Sequence, residues 1–299
     1  MSLPPFVSRQ VQQARRYFWN LTPDPQADLA LVCGGCERVA PDYLIQRGDF
    51  PYYCIEFVAE GQGEAVLEGV RRALYPGVAF AYGPGVPHAI RTAPETPLLK
   101  YYVDFTGKEA EGLLLAAGLL QGASILVTPA DELIQLFENL QRDSASEHPA
   151  AGAICTTLLR LLLLKMQERA VPAQTSQPRS LALFLEAKTL LERNALQWFS
   201  AEPAALHCQI SPEYLIRIFR TYAHTTPYRF LMRLKMSRAA ELLLDSQLKV
   251  REIAEELGFS DPFHFSRAFK RFHGASPEHF LRRVQRGLPL QKAPTSPRS

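Results

Sequence analysis

The C-terminal part of the chain carries one pattern twice: a short amphipathic segment, a tight turn, and a second amphipathic segment rich in Arg, Lys and aromatics. The second copy runs Val250-Arg-Glu-Ile-Ala-Glu-Glu-Leu-Gly-Phe-Ser-Asp-Pro-Phe-His-Phe-Ser-Arg-Ala-Phe-Lys-Arg-Phe272. Ile253, Ala254 and Leu257 recur at helical spacing and make one apolar face. Gly258 supplies the left-handed residue that ends the first helix. Either Ser260 or Asp261 caps the next helix, with Pro262 in its first turn. Phe265, Ala268, Phe269 and Phe272 form the expected buried stripe, leaving His264, Arg267, Lys270 and Arg271 on other faces. Two helices joined in this way make a helix-turn-helix, whose second helix lies in the major groove of DNA.

The first copy, Ser200 to Arg220, is in register with it. Ala205, Ile210, Leu215 and Phe219 stand where the second copy has Ala254, Phe259, Phe265 (offset by one) and Phe269. Ser200 is the expected N-cap, and Pro203 falls within the first helical turn, where proline is tolerated. Gln209 occupies the place of Gly258, so this turn either accepts strain or takes another shape. Between the copies, 227–245 reads as a helix. Its apolar residues Phe230, Leu231, Leu234, Ala239, Leu242 and Leu243 suit packing against both units.

Net charge sharpens the division. Overall it is only +3, but residues 1–178 hold 14 Lys+Arg against 19 Asp+Glu, and residues 179–299 hold 19 against 11. The basic part is the part with the repeated motif, as neutralisation of DNA phosphates requires. A length of 299 residues suggests about two domains. The start of the chain lacks the apolar core of a signal peptide, and the most apolar stretch, 158–166, is too short to span a bilayer. Five scattered cysteines fit free thiols in a reducing cytoplasm.

The two units joined by one helix, ending Gly258-Phe-Ser-Asp-Pro…Phe265-Ser-Arg-Ala-Phe-Lys-Arg-Phe…Gly274-Ala-Ser-Pro277, resemble the AraC family of bacterial transcription regulators over about 180–284. The resemblance implies that the second helix of each unit enters one of two successive major grooves. Base-facing positions would be Glu213 and Arg217 in the first unit, and Pro262, Phe263, His264 and Arg267 in the second. Arg217 and Arg267 both lie two residues before a Phe of the apolar stripe. Arg can donate two hydrogen bonds to guanine, and apolar side chains can touch the thymine methyl. Arg220, Arg251, Lys270 and Arg271 suit phosphates, which position without reading sequence. Glu213 is unusual for a DNA-facing position: it either reads cytosine or marks a unit with little base specificity.

The N-terminal half reads differently. β-like runs at 29–32, 53–58, 63–67, 78–82 and 98–105 are separated by Gly and Pro, with breaks at Gly34-Gly35, Gly61, Pro76-Gly77 and Pro84-Gly85. The order Gly61-Gln-Gly63…Pro76-Gly77…Pro84-Gly-Val-Pro-His88…Tyr102-Val-Asp-Phe-Thr-Gly107 is similar to the cupin-like sensory domain of sugar-responsive AraC-type regulators. That implies a small molecule in the mouth of a barrel. Arg47, Glu56, Tyr82 and His88 are the expected effector contacts, since a polyol needs donors and acceptors among aromatic walls. A metal-dependent cupin enzyme would need a triad of ligands, and only the later His88 is present, so neither metal nor cofactor is expected. Cys33-Gly-Gly-Cys36 lacks a second ligand pair for zinc and reads as a Gly-Gly bend.

Two helices are expected at 131–142 and 150–169. In the second, Ile154, Leu158, Leu161, Leu162 and Met166 form the apolar stripe, broadened by Leu159, Leu163 and Leu164. So wide an apolar arc either caps its own domain on both sides or meets a second subunit; the resemblance favours a homodimer.

The expected fold is therefore α+β and multidomain. A cupin-like β-barrel or jelly roll with two following helices precedes an all-α domain of two helix-turn-helix units joined by a linker helix. The expected segments are an arm (1–28), the effector barrel (29–107), a helical dimerisation region (108–169), a linker (170–179), the DNA-binding domain (180–286) and a disordered tail (287–299). The expected partners are double-stranded DNA, a sugar-like effector and a second copy of the chain, with RNA polymerase as the further partner of such a regulator and no membrane. The alternatives left open are a regulator whose N-terminal half only dimerises or binds a partner, and the metal-dependent enzyme.

Overall fold

The computed structural model describes residues 4, 6–24, 26–120, 122–245 and 248–285, and its contacts divide the chain into Met1–Pro178 and Arg179–Ser299. The expected tail, 287–299, lies outside the described residues.

In the first unit the strands form two open sheets rather than a closed ring. The larger has the order β1-β2-β9-β4-β7-β10-β11 and the smaller β3-β8-β5-β6. The larger comprises β1 (Val11–Phe18), β2 (Ala30–Val39), β9 (Leu99–Thr106), β4 (Tyr53–Glu60), β7 (Val78–Tyr82), β10 (Ser124–Val127) and β11 (Ala170–Pro172). The smaller comprises β3 (Leu44–Arg47), β8 (His88–Thr92), β5 (Gly63–Leu67) and β6 (Val70–Leu74). All strand pairings among the described residues are antiparallel, and period-2 alternation sends successive side chains to opposite faces. On β4 and β9, Ile55, Phe57, Tyr101, Val103 and Phe105 join the cluster packed with the helices, while Cys54, Glu56, Lys100, Tyr102 and Asp104 project from the other face.

Several sequence expectations change here. Residues 11–18, expected within an arm, add an edge strand to β2. Cys33-Gly34-Gly35-Cys36 is no bend but the middle of β2. A Cβ on Gly34 would lie 2.3 Å from Tyr17 Oη, and one on Gly35 would lie 2.4 Å from the Arg15 carbonyl oxygen. The glycines are therefore there to let β1 approach closely. Ala170–Pro172, expected in the linker, pairs with β10 at the sheet edge, the place where a strand proline is tolerated.

Helices α1 (Ala110–Ala116), α2 (Asp131–Asp143) and α3 (Ala151–Arg169) follow the expected order, with α1 added. The buried face of α3 is Ala151, Cys155, Leu159, Leu162, Leu163 and Met166. Ile154, Leu161 and Leu164 of the expected stripe are exposed. A helix apolar on most sides offers no sequence signal for which side meets the sheet.

The second unit is helical: α4 (Arg179–Arg193), α5 (Glu202–His207), α6 (Pro212–Ala223), α7 (Pro227–Asp245), α8 (Val250–Glu256), α9 (Pro262–His273) and α10 (Pro277–Gln285). In the first helix-turn-helix, Phe184 of α4 meets Phe219 of α6 edge-on at 5.0 Å, and Phe219 meets Phe230 of α7 at 5.7 Å. In the second, Met236, Ala239, Leu242 and Leu243 of α7 share a cluster with Ile253, Ala254, Leu257, Phe265 and Phe269. Each fully buried side chain of this size contributes about 1.5–3 kcal/mol. The linker helix thus spends its first half on one unit and its second half on the other.

Phe272 is 40 % exposed and does not complete the stripe. His273 takes that place, with its ring 4.4 Å from Phe269 and its Nε2 paired with the Met236 carbonyl at 3.0 Å. In the first unit, α5 begins one residue later than expected: Ala201 is at the cap, and Ser200 Oγ accepts from the Glu202 N–H at 3.4 Å.

Candidate effector pocket and nucleic-acid interface

Strand register builds the pocket in the first unit. Cys33, Asp104 and Cys54 lie on one rung across β2, β9 and β4, with Tyr82 next on β7. Gly35, Tyr102, Glu56 and Phe80 form the second rung, and Glu37 and Lys100 begin the third. The cavity there is lined by Glu37, Glu56, Tyr82, Lys100, Tyr102 and Asp104 from the large sheet, by Tyr43, Ile45, Arg47 and Phe50 opposite, and by Phe6, Val7 and Ser8. Its volume is about 30 Å³; at ~10–15 Å³ per water, that admits a couple of waters and no sugar ring.

The floor is a chain of charged groups. Lys100 Nζ donates to Glu56 Oε2 at 3.0 Å and lies 3.7 Å from Glu37 Oε2. Tyr82 Oη donates to Glu56 Oε1 at 2.8 Å, and Arg16 Nε donates to Glu37 Oε1 at 2.7 Å. Burial by itself would lower the Lys100 ammonium pKa, but Glu56, Tyr43 and Glu37 outweigh it and raise it. Burial pushes the Asp104 carboxyl up to about 6, against the hydrogen bond it accepts from Cys33 Sγ at 3.0 Å. Asp104 Oδ1 and Tyr102 Oη are buried and have no hydrogen-bond partner among the described residues. A buried polar atom left so costs about 1–3 kcal/mol unless something binds it.

Residues 6–8 line one side of this cavity and are held there by hydrogen bonds. Arg16 Nη2 donates to the Ser8 carbonyl at 2.8 Å, and Arg47 Nη2 donates to the Phe6 carbonyl. The Phe6 ring meets Phe50 and Tyr52 edge-on at 5.7 and 5.8 Å.

Of the four expected effector contacts, Arg47, Glu56 and Tyr82 line the cavity and His88 does not. His88 stacks behind Tyr82 at 3.8 Å, its Nδ1 paired with the Val86 carbonyl at 3.0 Å, and burial lowers its pKa. Sequence reading missed Glu37, Lys100, Tyr102 and Asp104. The signal was present on β9, where Lys, Tyr and Asp alternate with Tyr, Val and Phe in an otherwise buried strand. No local signal marks Phe6–Ser8, which are brought in from far along the chain. Cys33 and Cys36 part company: Cys33 bonds Asp104, and Cys36 joins the helix-side cluster. Among the described residues, no three His, Cys, Asp or Glu side chains converge as a metal site.

In the second unit, α6 and α9 repeat one design. Each has twelve residues, begins with Pro at its first position and ends at a left-handed residue, His224 (φ 51°) or Gly274 (φ 76°). Ser211 caps α6 through the Tyr214 N–H at 3.1 Å. Asp261, not Ser260, caps α9 through both the Phe263 and His264 N–H groups at 2.9 and 3.1 Å. The outward face of α9 offers Phe263 (77 % exposed), His264 and Arg267, with Pro262 half-buried at its start. Arg267 is exposed and lies 3.9 Å from Asp261, too loose a pair to hold it. Arg217 on α6 extends over the Tyr214 ring at 4.6 Å.

Lys270, Arg271 and Arg220 are exposed on the same two helices. Arg251 lies on α8, paired with Glu255 one turn on at 3.0 Å. Glu213 is exposed in the first turn of α6, where its own backbone N–H and Ser211 hold its carboxyl below the usual range. That is the ordinary place for an acid at a helix N-terminus. No described helix is long and apolar enough to cross a membrane.

Two family models match the chain. A helix-turn-helix domain covers residues 204–283, and an AraC-like ligand binding domain covers residues 35–163. The Msm operon regulatory protein of Streptococcus mutans is 25% identical over 86% of this chain and 94% of its own length. The raffinose operon transcriptional regulatory protein RafR of Pediococcus pentosaceus is 37% identical over 26% of this chain and 28% of its own. The HTH-type transcriptional regulator ArgR of Pseudomonas aeruginosa is 29% identical over 48% and 43%. With two equivalent helices bearing exposed arginines in one unit and a polar cavity under an AraC-like ligand-binding match in the other, the chain belongs to the AraC family of DNA-binding transcription regulators.

Proposed function

We propose that this regulator is a cytoplasmic homodimer, not an enzyme, whose hold on DNA is set by a hydroxyl-rich small molecule of the sugar or polyol class. The observation that carries the effector reading is the cavity floor. Asp104 Oδ1 and Tyr102 Oη offer a free acceptor and a free hydroxyl beside Glu56, Lys100 and Arg47, with Tyr43, Tyr82 and Phe50 as walls. Such a mixture suits a ligand that both donates and accepts hydrogen bonds. The name of the raffinose operon relative supports a carbohydrate-linked role. At about 30 Å³ the cavity is too small for that ligand while Phe6–Ser8 line it. Binding therefore displaces the arm, breaking the Arg16–Ser8 and Arg47–Phe6 bonds, and shifts the population of arrangements of the two DNA-binding domains in the dimer.

In this reading 29–107 holds the effector, 108–169 dimerises, 170–179 links and 180–286 binds DNA. Exposed Ile154, Leu161 and Leu164 on α3 support the dimer contact. Arg217 and Arg267 read bases; Lys270, Arg271 and Arg220 hold phosphates, the two reading helices lying about 34 Å apart along one duplex face. The half-buried Pro262, exposed Phe263 and His264 add contacts in the second groove, and RNA polymerase is the partner at the promoter. The alternative of a sensory half without an effector is disfavoured by the polar, incompletely satisfied floor. Selection of genomic fragments by the full-length protein, with and without a panel of sugars, tests the whole. A sugar that changes the recovered sites supports the proposal. Identical sites with every sugar, together with no calorimetric heat, would remove the effector class.

A further inference from the structure

Lys235 lies in the middle of α7 and is completely buried. Its ammonium donates to the Leu257 carbonyl at 2.7 Å and to the Leu196 carbonyl at 3.2 Å. Leu257 caps the C-terminal end of α8, in the second helix-turn-helix. Leu196 lies between α4 and α5, in the first. Carbonyls at a helix end carry partial negative charge and lack helical partners, so they suit a cation. Nζ also lies 4.4 Å from the centre of the Phe199 ring and 5.9 Å from that of Phe259, again one residue from each unit. No carboxylate pairs with Lys235 among the described residues.

The Phe199 ring seals the same junction. Its Cζ lies only 2.2 Å from where a Cβ on Gly258 would stand, so the ring rests directly on the turn of the second unit. Gly258 is left-handed at φ 75°, but that alone does not demand glycine, because Gln209 adopts φ 54° in the equivalent turn. What differs is the ring. Phe199 and Lys235 together tie the segment before α5 to the turn before α9.

Burying an ammonium without a carboxylate is costly, and an apolar side chain of like length would fill the space without that cost. What the ammonium adds is direction: bonds to two carbonyls that belong to different units. We propose that Lys235 is a positioning residue that fixes the spacing between the two reading helices, so that both engage successive grooves at once. The inference rests on the DNA-binding reading. Two linked modules gain affinity over one only while their geometry matches the span between their sites. Loosening the junction should therefore weaken binding to a two-groove target and spare binding through one unit.

The experiment uses the full-length protein and a duplex selected from genomic fragments, beside a duplex in which one half of the protected sequence is scrambled. Lys235→Met is expected to lose about tenfold on the intact duplex, the scale on which mismatched linkage erodes avidity, and less than about twofold on the half-scrambled one. Lys235→Arg, which keeps a cation and donors, is expected to restore most of the loss. Phe199→Leu removes the ring but leaves both hydrogen bonds, and is expected to show the same selective loss to a smaller degree; it stands in if Lys235→Met does not fold. Equal losses on both duplexes for the folded variants, or none on either, overturn the positioning role. Failure of the unmodified protein to select any duplex would instead sink the DNA-binding reading.

Discussion

The two helix-turn-helix units share a scaffold and differ in what they present. Both reading helices start at a proline, run twelve residues, bury a Phe two positions after an exposed Arg, and end at a left-handed residue. Their turns differ. The first uses Gln209 where the second uses Gly258, and the second has one more residue before its cap. The caps differ too: Ser211 satisfies one N–H, and Asp261 satisfies two. Outward, the second offers Phe263 and His264 where the first offers Glu213 and Tyr214. Packing is thus repeated and recognition chemistry is not. In the proposed reading, the second unit reads bases closely and the first anchors with fewer base contacts.

Substitution in the turns tests this contrast most strongly. Gly258→Ala forces a Cβ onto Phe199 at a positive φ and should cost about 3 kcal/mol or more in denaturant unfolding. A loss below about 1 kcal/mol would show that the ring gives way freely. Next come the arginines proposed to read bases. Arg267→Ala should cost roughly 1–3 kcal/mol on a selected site and relax base preference there, and Arg217→Ala should cost less. Equal losses, measured by competition binding, would erase the proposed asymmetry.

The caps come third. Asp261→Ala should destabilise by about 1–2 kcal/mol and Ser211→Ala by about 1 kcal/mol or less, because one cap holds two N–H groups and the other one. The smallest effects sharpen the picture. Gln209→Gly should stabilise by a few tenths to about 1 kcal/mol, as relief of left-handed strain exceeds the entropy that glycine adds. Lys270→Ala should weaken binding to every duplex alike and lower the salt slope by about one.

Much of the second unit was legible because its signals are local. Helical spacing, Gly258 and the Asp-Pro step mark helix and turn within a few residues of each other. The misplacement of Phe272 came at the end of that reach: whether a last-turn side chain is buried depends on α10 and His273, not on periodicity. Lys235 carries no signal in the sequence, since nothing nearby announces the carbonyls of Leu196 and Leu257. The first unit was less legible. Five strands could be placed from alternation and breakers, but β1 looked like an arm, and Gly34-Gly35 looked like a bend. Three of the four residues expected to meet an effector line the cavity; His88 supports Tyr82 from behind.

Composition, charge division and the repeated helix–turn–helix spacing determined by themselves that a β-rich part is followed by a basic part with two helix-turn-helix units. These depend on residues within a turn or two of one another, where backbone geometry leaves few choices. Which face of α3 is buried, which charges share the cavity floor, how Phe6–Ser8 come to line it and how one lysine ties two units together were decided only by tertiary structure. Each of those depends on partners tens of residues away, and burial of a charge becomes favourable only when the folded chain has already brought its partners to it.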